Sequence, residues 1–363
     1  MANKNKLLLG TRKGLIVYRQ NPSGNWQFDQ VHFLGIPISL AVSDERNGTW
    51  WAMADHGHWG CKLHRSTDRG KTWEELEAPK YPETEEVKDG VPAALRYLWA
   101  FAPSSQQQAQ KLYIGTEPGG LFESDNNGQS FTLNRGLWDH PSRKEQWFGG
   151  GRDYPGIHSI VVDPRDHRRI YIGISCAGVF LSEDGGNTWL PKNKGLLAEF
   201  LPDPQMDVGH DPHLLVMSKN HPDVLWQQNH CGIFRTVDGG EQWTEISENN
   251  GVAKFGFAIE AEDNDPNVAW VVPAVSDELR VAVDQALCVC RTDDGGKTWQ
   301  AYRKGLPQEH CFDIVYRHAL SKSKDTLVFG TTTGNAYLSK DRGETWETLN
   351  NHLPMVHSVS FVS

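Results

Sequence analysis

The chain lacks any uncharged apolar stretch near the 18 residues that a membrane-spanning helix needs, which excludes that class. It lacks an excess of basic residues: the formal net charge of −10 argues against nucleic acid or an anionic membrane as the partner. There is no Cys-x-x-Cys pair, so a structural zinc site on that spacing is absent. Cysteines stand only at 61, 176, 231, 288, 290 and 311. An even number invites a disulfide framework, but a chain this long with no export signal points to reduced thiols. Met1–Gly10 offers only three consecutive leucines, too few for the apolar part of a signal peptide, and a cytoplasmic location is expected. Low-complexity and disordered segments are missing as well. What is present is a chain of 363 residues, 38% hydrophobic and 23% charged, able to bury a large core. Length alone suggests two or three domains, unless a repeat organises it. It is rich in glycine (35), tryptophan (14) and histidine (15).

A repeat does organise it. The pattern Ser/Thr-x-Asp-x-Gly-x-Thr-Trp recurs six times, at 66–73, 124–131, 182–189, 236–243, 292–299 and 339–346. The second copy carries Asn126 and Phe131 where the others carry Asp and Trp. Successive Asp positions are 58, 58, 54, 56 and 47 residues apart, a period that means one supersecondary unit per repeat. The physics of the box is local. Its Asp can accept backbone N–H groups of a tight turn, its Gly can take positive φ, and its Trp opens the next strand with a large flat surface. The box therefore reads as scaffold.

Between boxes the sequence reads as short strands separated by turn signals. Ile157–Val162, 169–175, Gly178–Ser182 and 188–191 make four, and the segment 211–245 repeats the grammar. Four antiparallel strands per repeat make a propeller blade. The N-terminus holds a degenerate unit without an innermost strand, at 6–10, 14–19 and 26–28, and the C-terminus holds an orphan strand, Val356–Val362. Joining them makes a seventh blade and removes the exposed sheet edges. The expectation is one all-β domain over residues 1–363: a seven-bladed β-propeller closed by pairing the C-terminal strand with the N-terminal unit.

These boxes resemble the Asp-box, or BNR, repeats of sialidases, sortilin-type receptors, xyloglucan-degrading hydrolases and propeller-type photosystem II assembly factors. The resemblance covers nearly the whole chain, and the chain is similar to bacterial proteins described as exo-sialidase-like. It implies the propeller fold; those families share a scaffold and not a chemistry. Sialidases use three arginines, a Tyr–Glu pair, an Asp acid/base and an Arg-Ile-Pro motif. No Arg-Ile-Pro occurs here, and Arg12 lies instead in Thr11-Arg12-Lys13-Gly14, so no sialidase residue transfers.

Chemistry is expected where innermost strands start and second strands end, because both fall on one face of the ring. Innermost starts give Tyr97, His158, His213, Asp313 and His357; second-strand ends give Arg12, His56, His58, Glu117, Cys176, Asn229 and His230. Three neutral imidazoles converging on a point can hold Zn²⁺, Mn²⁺, Fe²⁺ or Cu²⁺, and His158, His213 and His230 are the candidate metal ligands. Asp211, in Gly209-His210-Asp211-Pro212-His213, is a carboxylate able to orient them. Without a metal, the same face reads as a polar pocket. There Arg12 grips a carboxylate, and His58 or Glu117 moves protons. Arg152, Tyr154, His56, Asp313 and His357 would contact substrate. The bland alternative is that these histidines cap strand ends. Long connections at 74–96, 132–157, 190–212 and 273–286 should wall the same face. Trp138, Trp147 and Phe148 would either stack a sugar ring or give their loop its own core. The function expected is a hydrolase or lyase acting on a small polar, anionic or sugar-like substrate, with a non-catalytic interaction or assembly propeller as the alternative. The expected partners are a small molecule and, in the alternative, a protein.

Overall fold

In the computed structural model, which describes residues 5–363, each stretch between boxes folds into four antiparallel strands ordered from the axis outwards. The blade of residues Ile157–Val162, Ile170–Ile174, Gly178–Ser182 and Leu190–Pro191 is representative. Its first three strands are runs of β-branched and aromatic side chains, and most residues of its second and third strands are buried. Blades one to six follow in chain order from Ile38 to Asn350. The seventh is composite: Trp26–His32, Gly14–Gln20 and Lys6–Thr11 are completed at the axis by Val356–Val362, pairing Leu8 with Ser360 and Gly10 with Ser358. Each innermost strand contacts the next all the way round, ending with Val356–Val362 against Ile38–Asp44. Seven four-stranded sheets thus close a ring.

The boxes behave as their chemistry demands. In the third, the Thr188 amide and hydroxyl both donate to Asp184, at 2.9 and 2.7 Å, while Ser182 Oγ accepts the Gly186 amide at 2.8 Å. The strand that follows starts one residue past the tryptophan. The tryptophans fasten neighbours together: Trp243 Nε1 donates to the Lys192 carbonyl of the preceding blade at 2.8 Å, and Trp299 Nε1 to that of Ile246 at 2.8 Å.

Two features were not legible beforehand. Blade six does not begin its inner strand near Asp313. Residues 311–316 carry no strand, and the strand runs from Leu320 to Ser323. His318 instead makes an isolated parallel bridge to Ser358. Second, the inner strands of the other six blades are all irregular at one place. Pairing skips Ser39, Trp99, His158 and His213 in blades one to four, Phe257 with Ala258 in blade five, and His357 in blade seven. A bulge leaves one residue unpaired and re-aims its side chain. All six cysteines are unpaired thiols. Among the described residues no helix is long and apolar enough to cross a membrane.

Candidate active site

The repeated bulge builds the site. Ser39, Trp99, His213, Phe257 and His357 all line a cavity of about 520 Å³ at the axis, a size suited to a small ligand. Blade six contributes Tyr316, Arg317 and His318 to the same wall. Three long connections complete it, bringing Phe148, Gly150 and Arg152, then Phe200 and Asp211, then Asp277 and Arg280. Gly150 is required where it stands, because a Cβ there would fall 2.4 Å from Cys176 Sγ.

The polar centre lies on blade four. Asp211 and His213 are two apart on an extended segment and so share a face. His230 follows the partner strand, its amide bonded to the Asp211 carbonyl at 2.9 Å. His213 Nε2 and His230 Nδ1 each stand 3.6 Å from Asp211 Oδ2. The other Asp211 oxygen accepts the Cys176 amide at 3.1 Å. Cys176 presents that amide from the left-handed region, at φ 54°, a conformation that costs a side-chain-bearing residue about 1–2 kcal/mol. On its far side, His230 Nε2 is 3.7 Å from Asp277 Oδ2. His213 Nδ1 donates to the Gly256 carbonyl at 2.6 Å, which leaves Nε2 as the bare nitrogen facing Asp211.

Burial sets the charge states. It opposes ionisation of Asp211, but the facing His213 imidazole and then the Arg317 guanidinium outweigh it, holding the carboxyl well below its ordinary range. Burial depresses the His158, His213 and His357 imidazoles, and pushes His318 down to about 4, so these rings are neutral near pH 7. Arg317 is the unmatched charge. Its guanidinium lies 5.1 Å from the Trp99 ring centroid and 5.6 Å from that of Phe257, and among the described residues it has no hydrogen bond or ion pair.

Of the expected residues, the structure brings Tyr97, Cys176, His213, His230, His357 and Arg152 to the cavity. His158 is fully buried, with Nδ1 bonded to Ser159 Oγ at 2.8 Å and Nε2 unpartnered; it packs on Trp99 and stands outside the group formed by Asp211, His213 and His230. Glu117 is sealed beneath Arg152, which pairs with it and stacks on Tyr97 at 4.2 Å. Tyr154 sits under Arg96 rather than on the cavity wall. Arg12 is exposed and does not line the cavity. His56 and His58 belong to the turn after blade one's second strand, also off the wall, with His58 exposed beside Trp59. Asp313 is buried and bonded to Asn335 Nδ2 at 3.0 Å, a consequence of the missing strand around it. Trp138 and Trp147 are buried in two separate cores with the blades, against Tyr81 and Phe180, with indole N–H groups bonded to Glu85 and Ser142, and only Phe148 reaches the cavity.

Arg317, His318, Trp99 and Phe257 had not been anticipated. The available signal was positional: Phe257 holds the second place of its inner strand, as His158 and His213 do, and Trp99 the third place of its own. Arg317 and His318 had no such marker, because their blade departs from the pattern.

A closed seven-bladed ring with an aromatic, arginine- and histidine-lined axial cavity is the class that fold and site define. No protein-family model matches the chain. Among curated proteins it is 23% identical over 268 residues to the xyloglucanase Xgh74A of Acetivibrio thermocellus, covering 67% of this chain and 30% of that protein. It is 24% identical over 186 residues to an oligoxyloglucan-reducing end-specific xyloglucanase of Emericella nidulans, covering 49% and 21%. The chain thus spans less than a third of the length of these relatives. Among solved structures, a protein from Lactobacillus plantarum aligns over 99% of both chains at 14% identity, with a TM-score of 0.62. The Niastella koreensis GH74 enzyme aligns over 98% of this chain and 66% of its own, at 15% identity and a TM-score of 0.55. YCF48 bound to a D1 peptide aligns over 96% and 86%, at 13% identity and a TM-score of 0.54. At these identities the structural likeness speaks for the fold.

Proposed function

We propose that this propeller is an enzyme that cleaves a glycosidic bond next to an acidic sugar, by hydrolysis or elimination, in its axial cavity. The observation that carries this reading is Arg317, a guanidinium on the cavity wall with no hydrogen-bond or ion-pair partner among the described residues. A buried cation is costly unless paired, and a planar fork of N–H donors suits a carboxylate. Trp99, Phe257 and Tyr316 offer flat faces against which a sugar ring can stack. The Asp211–His230–Asp277 row lies beside it with groups able to give and take a proton. The similarity to xyloglucanases supports a carbohydrate as substrate. The arginines set this cavity apart from one built for a neutral polymer.

The test is a paired set of glycosides, uronic acid against neutral analogue, measured by calorimetry and by product release. The acidic member should bind and react, and Arg317→Ala should weaken its binding about 10- to 100-fold, the value of a lost charge-assisted hydrogen bond. Equal handling of both sugars, or an Arg317→Ala protein that still prefers the acid, would sink the reading. A second reading has one observation behind it: a protein of this fold, YCF48, has been solved with a peptide bound. On that reading Arg317 receives a carboxylate of a protein partner, and no glycoside is turned over.

A further inference from the structure

The strongest geometric oddity in the cavity is a carboxylate oxygen that two imidazole nitrogens face from just beyond hydrogen-bonding distance. His213 Nδ1 is committed to the Gly256 carbonyl, so its Nε2 lone pair points at Asp211 Oδ2, 3.6 Å away. His230 Nδ1 points at the same oxygen from 3.6 Å. Both gaps exceed the reach of a hydrogen bond. One ligand atom from each of Asp211, His213 and His230 lies within 4.8 Å of the other two. Metal–nitrogen and metal–carboxylate bonds of 2.0–2.2 Å place tetrahedral ligands about 3.4 Å apart, close to the two 3.6 Å separations from Asp211 Oδ2.

The surroundings are those of a built site. The Gly256 carbonyl fixes the His213 tautomer and ring plane. The Cys176 amide takes one Asp211 oxygen and leaves the other as a single donor. Phe257 stacks on His213 at 4.6 Å, and Phe255 meets His230 edge-on at 6.1 Å. Such outer contacts orient metal ligands and exclude water from their backs. We infer that Asp211, His213 and His230 form a two-histidine, one-carboxylate site for a single divalent first-row metal ion, open towards the axial cavity. The donor set suits Zn²⁺, Fe²⁺ or Mn²⁺. It differs from an all-histidine trio because His158 spends Nδ1 on Ser159 and lies outside the cluster. An ion there would face the same space as Arg317, so a bound anion could be held from two sides. The site does not depend on the substrate being a sugar acid.

The experiment uses the full chain without a histidine tag, stripped with chelator and titrated separately with Zn²⁺, Mn²⁺ and Co²⁺. The wild-type protein should take up one equivalent of at least one ion, raise its melting temperature on doing so, and with Co²⁺ develop visible ligand-field absorption. His230→Ala, at a half-buried position, should lower that affinity more than about 100-fold, beyond the 10–100-fold typical of outer-contact losses. Asp211→Asn should do the same, while His56→Ala should not. A wild-type chain that binds none of the three ions, or one whose affinity His230→Ala leaves unchanged in a folded protein, overturns the inference. Arg317→Ala should leave metal affinity within a few-fold, so failure of the metal site and failure of the acidic-sugar reading are told apart.

Discussion

At the scale of single residues, the site is held by side chains whose freedom has been removed by something specific. Gly150 lines the cavity beside Cys176, and the Cβ of Gly150→Val would fall 2.4 Å from Cys176 Sγ. We expect ligand binding to fall at least tenfold and the melting temperature to fall with it, read by calorimetry and a melting curve; an unchanged melting temperature would show that the wall yields without cost. Glu117 shows the opposite case. It looked free to move protons, but its carboxylate is buried beneath Arg152 and occupied by it. Its role is to hold Arg152 over Tyr97 and Trp99, an arrangement in which cation and ring faces attract. A carboxylate so engaged is a positioning group. Glu117→Gln should therefore raise KM more than it lowers kcat once a substrate is in hand, and an equal fall in kcat would return Glu117 to the chemistry.

At the scale of the element, the eight-residue box repeats one solution six times. Ser182 is fully buried, donates to Asp184 at 2.9 Å and accepts the Gly186 amide at 2.8 Å. Removing its hydroxyl strands a buried amide, so Ser182→Ala should destabilise by about 1–3 kcal/mol, read from the urea midpoint at unchanged slope. Asp68 belongs to the equivalent turn and is held down to about 2, chiefly by the Thr72 amide and then by the Thr72 and Ser66 hydroxyls. Asp184 is lowered in the same direction by Thr188. A carboxyl depressed in the folded state adds stability above its unfolded value, and that contribution fades as pH falls through the folded value. For Asp68 the window runs from the ordinary 3.8 down to about 2. The urea midpoint should therefore hold from neutrality to about pH 4 and drop below it. A midpoint flat to pH 2 would show that the box carboxylates contribute nothing.

At the scale of the molecule, closure is the decisive event. Val356, Val359, Phe361 and Val362 are buried, and their strand pairs with Lys6–Thr11 across almost the full sequence. Deleting residues 356–363 would expose the edge of Lys6–Thr11 and the flank of blade one. We expect loss of a single cooperative unfolding transition and concentration-dependent association, visible in size-exclusion profiles. A truncated chain that stays monomeric and melts at the original temperature would refute a closed ring.

How much of this was legible follows from what each feature depends on. Boxes, strands and ring closure depend on contacts near in sequence or on one obvious missing strand, and both leave compositional marks: Asp, Gly and Trp at set offsets, and a C-terminal run with no partner of its own. The convergence of His213 and His230 was readable for the same reason, because strand ends of one hairpin must meet. What only the tertiary structure decided is which side chains turn into the axis. That depends on a bulge in six inner strands and on its replacement in blade six by an irregular segment that carries Arg317 and His318 inward. A bulge is a matter of which amide pairs with which carbonyl across the sheet, and no residue type announces it. Arg12, His56 and His58 carried the right chemistry, but the register of the backbone left them off the cavity wall.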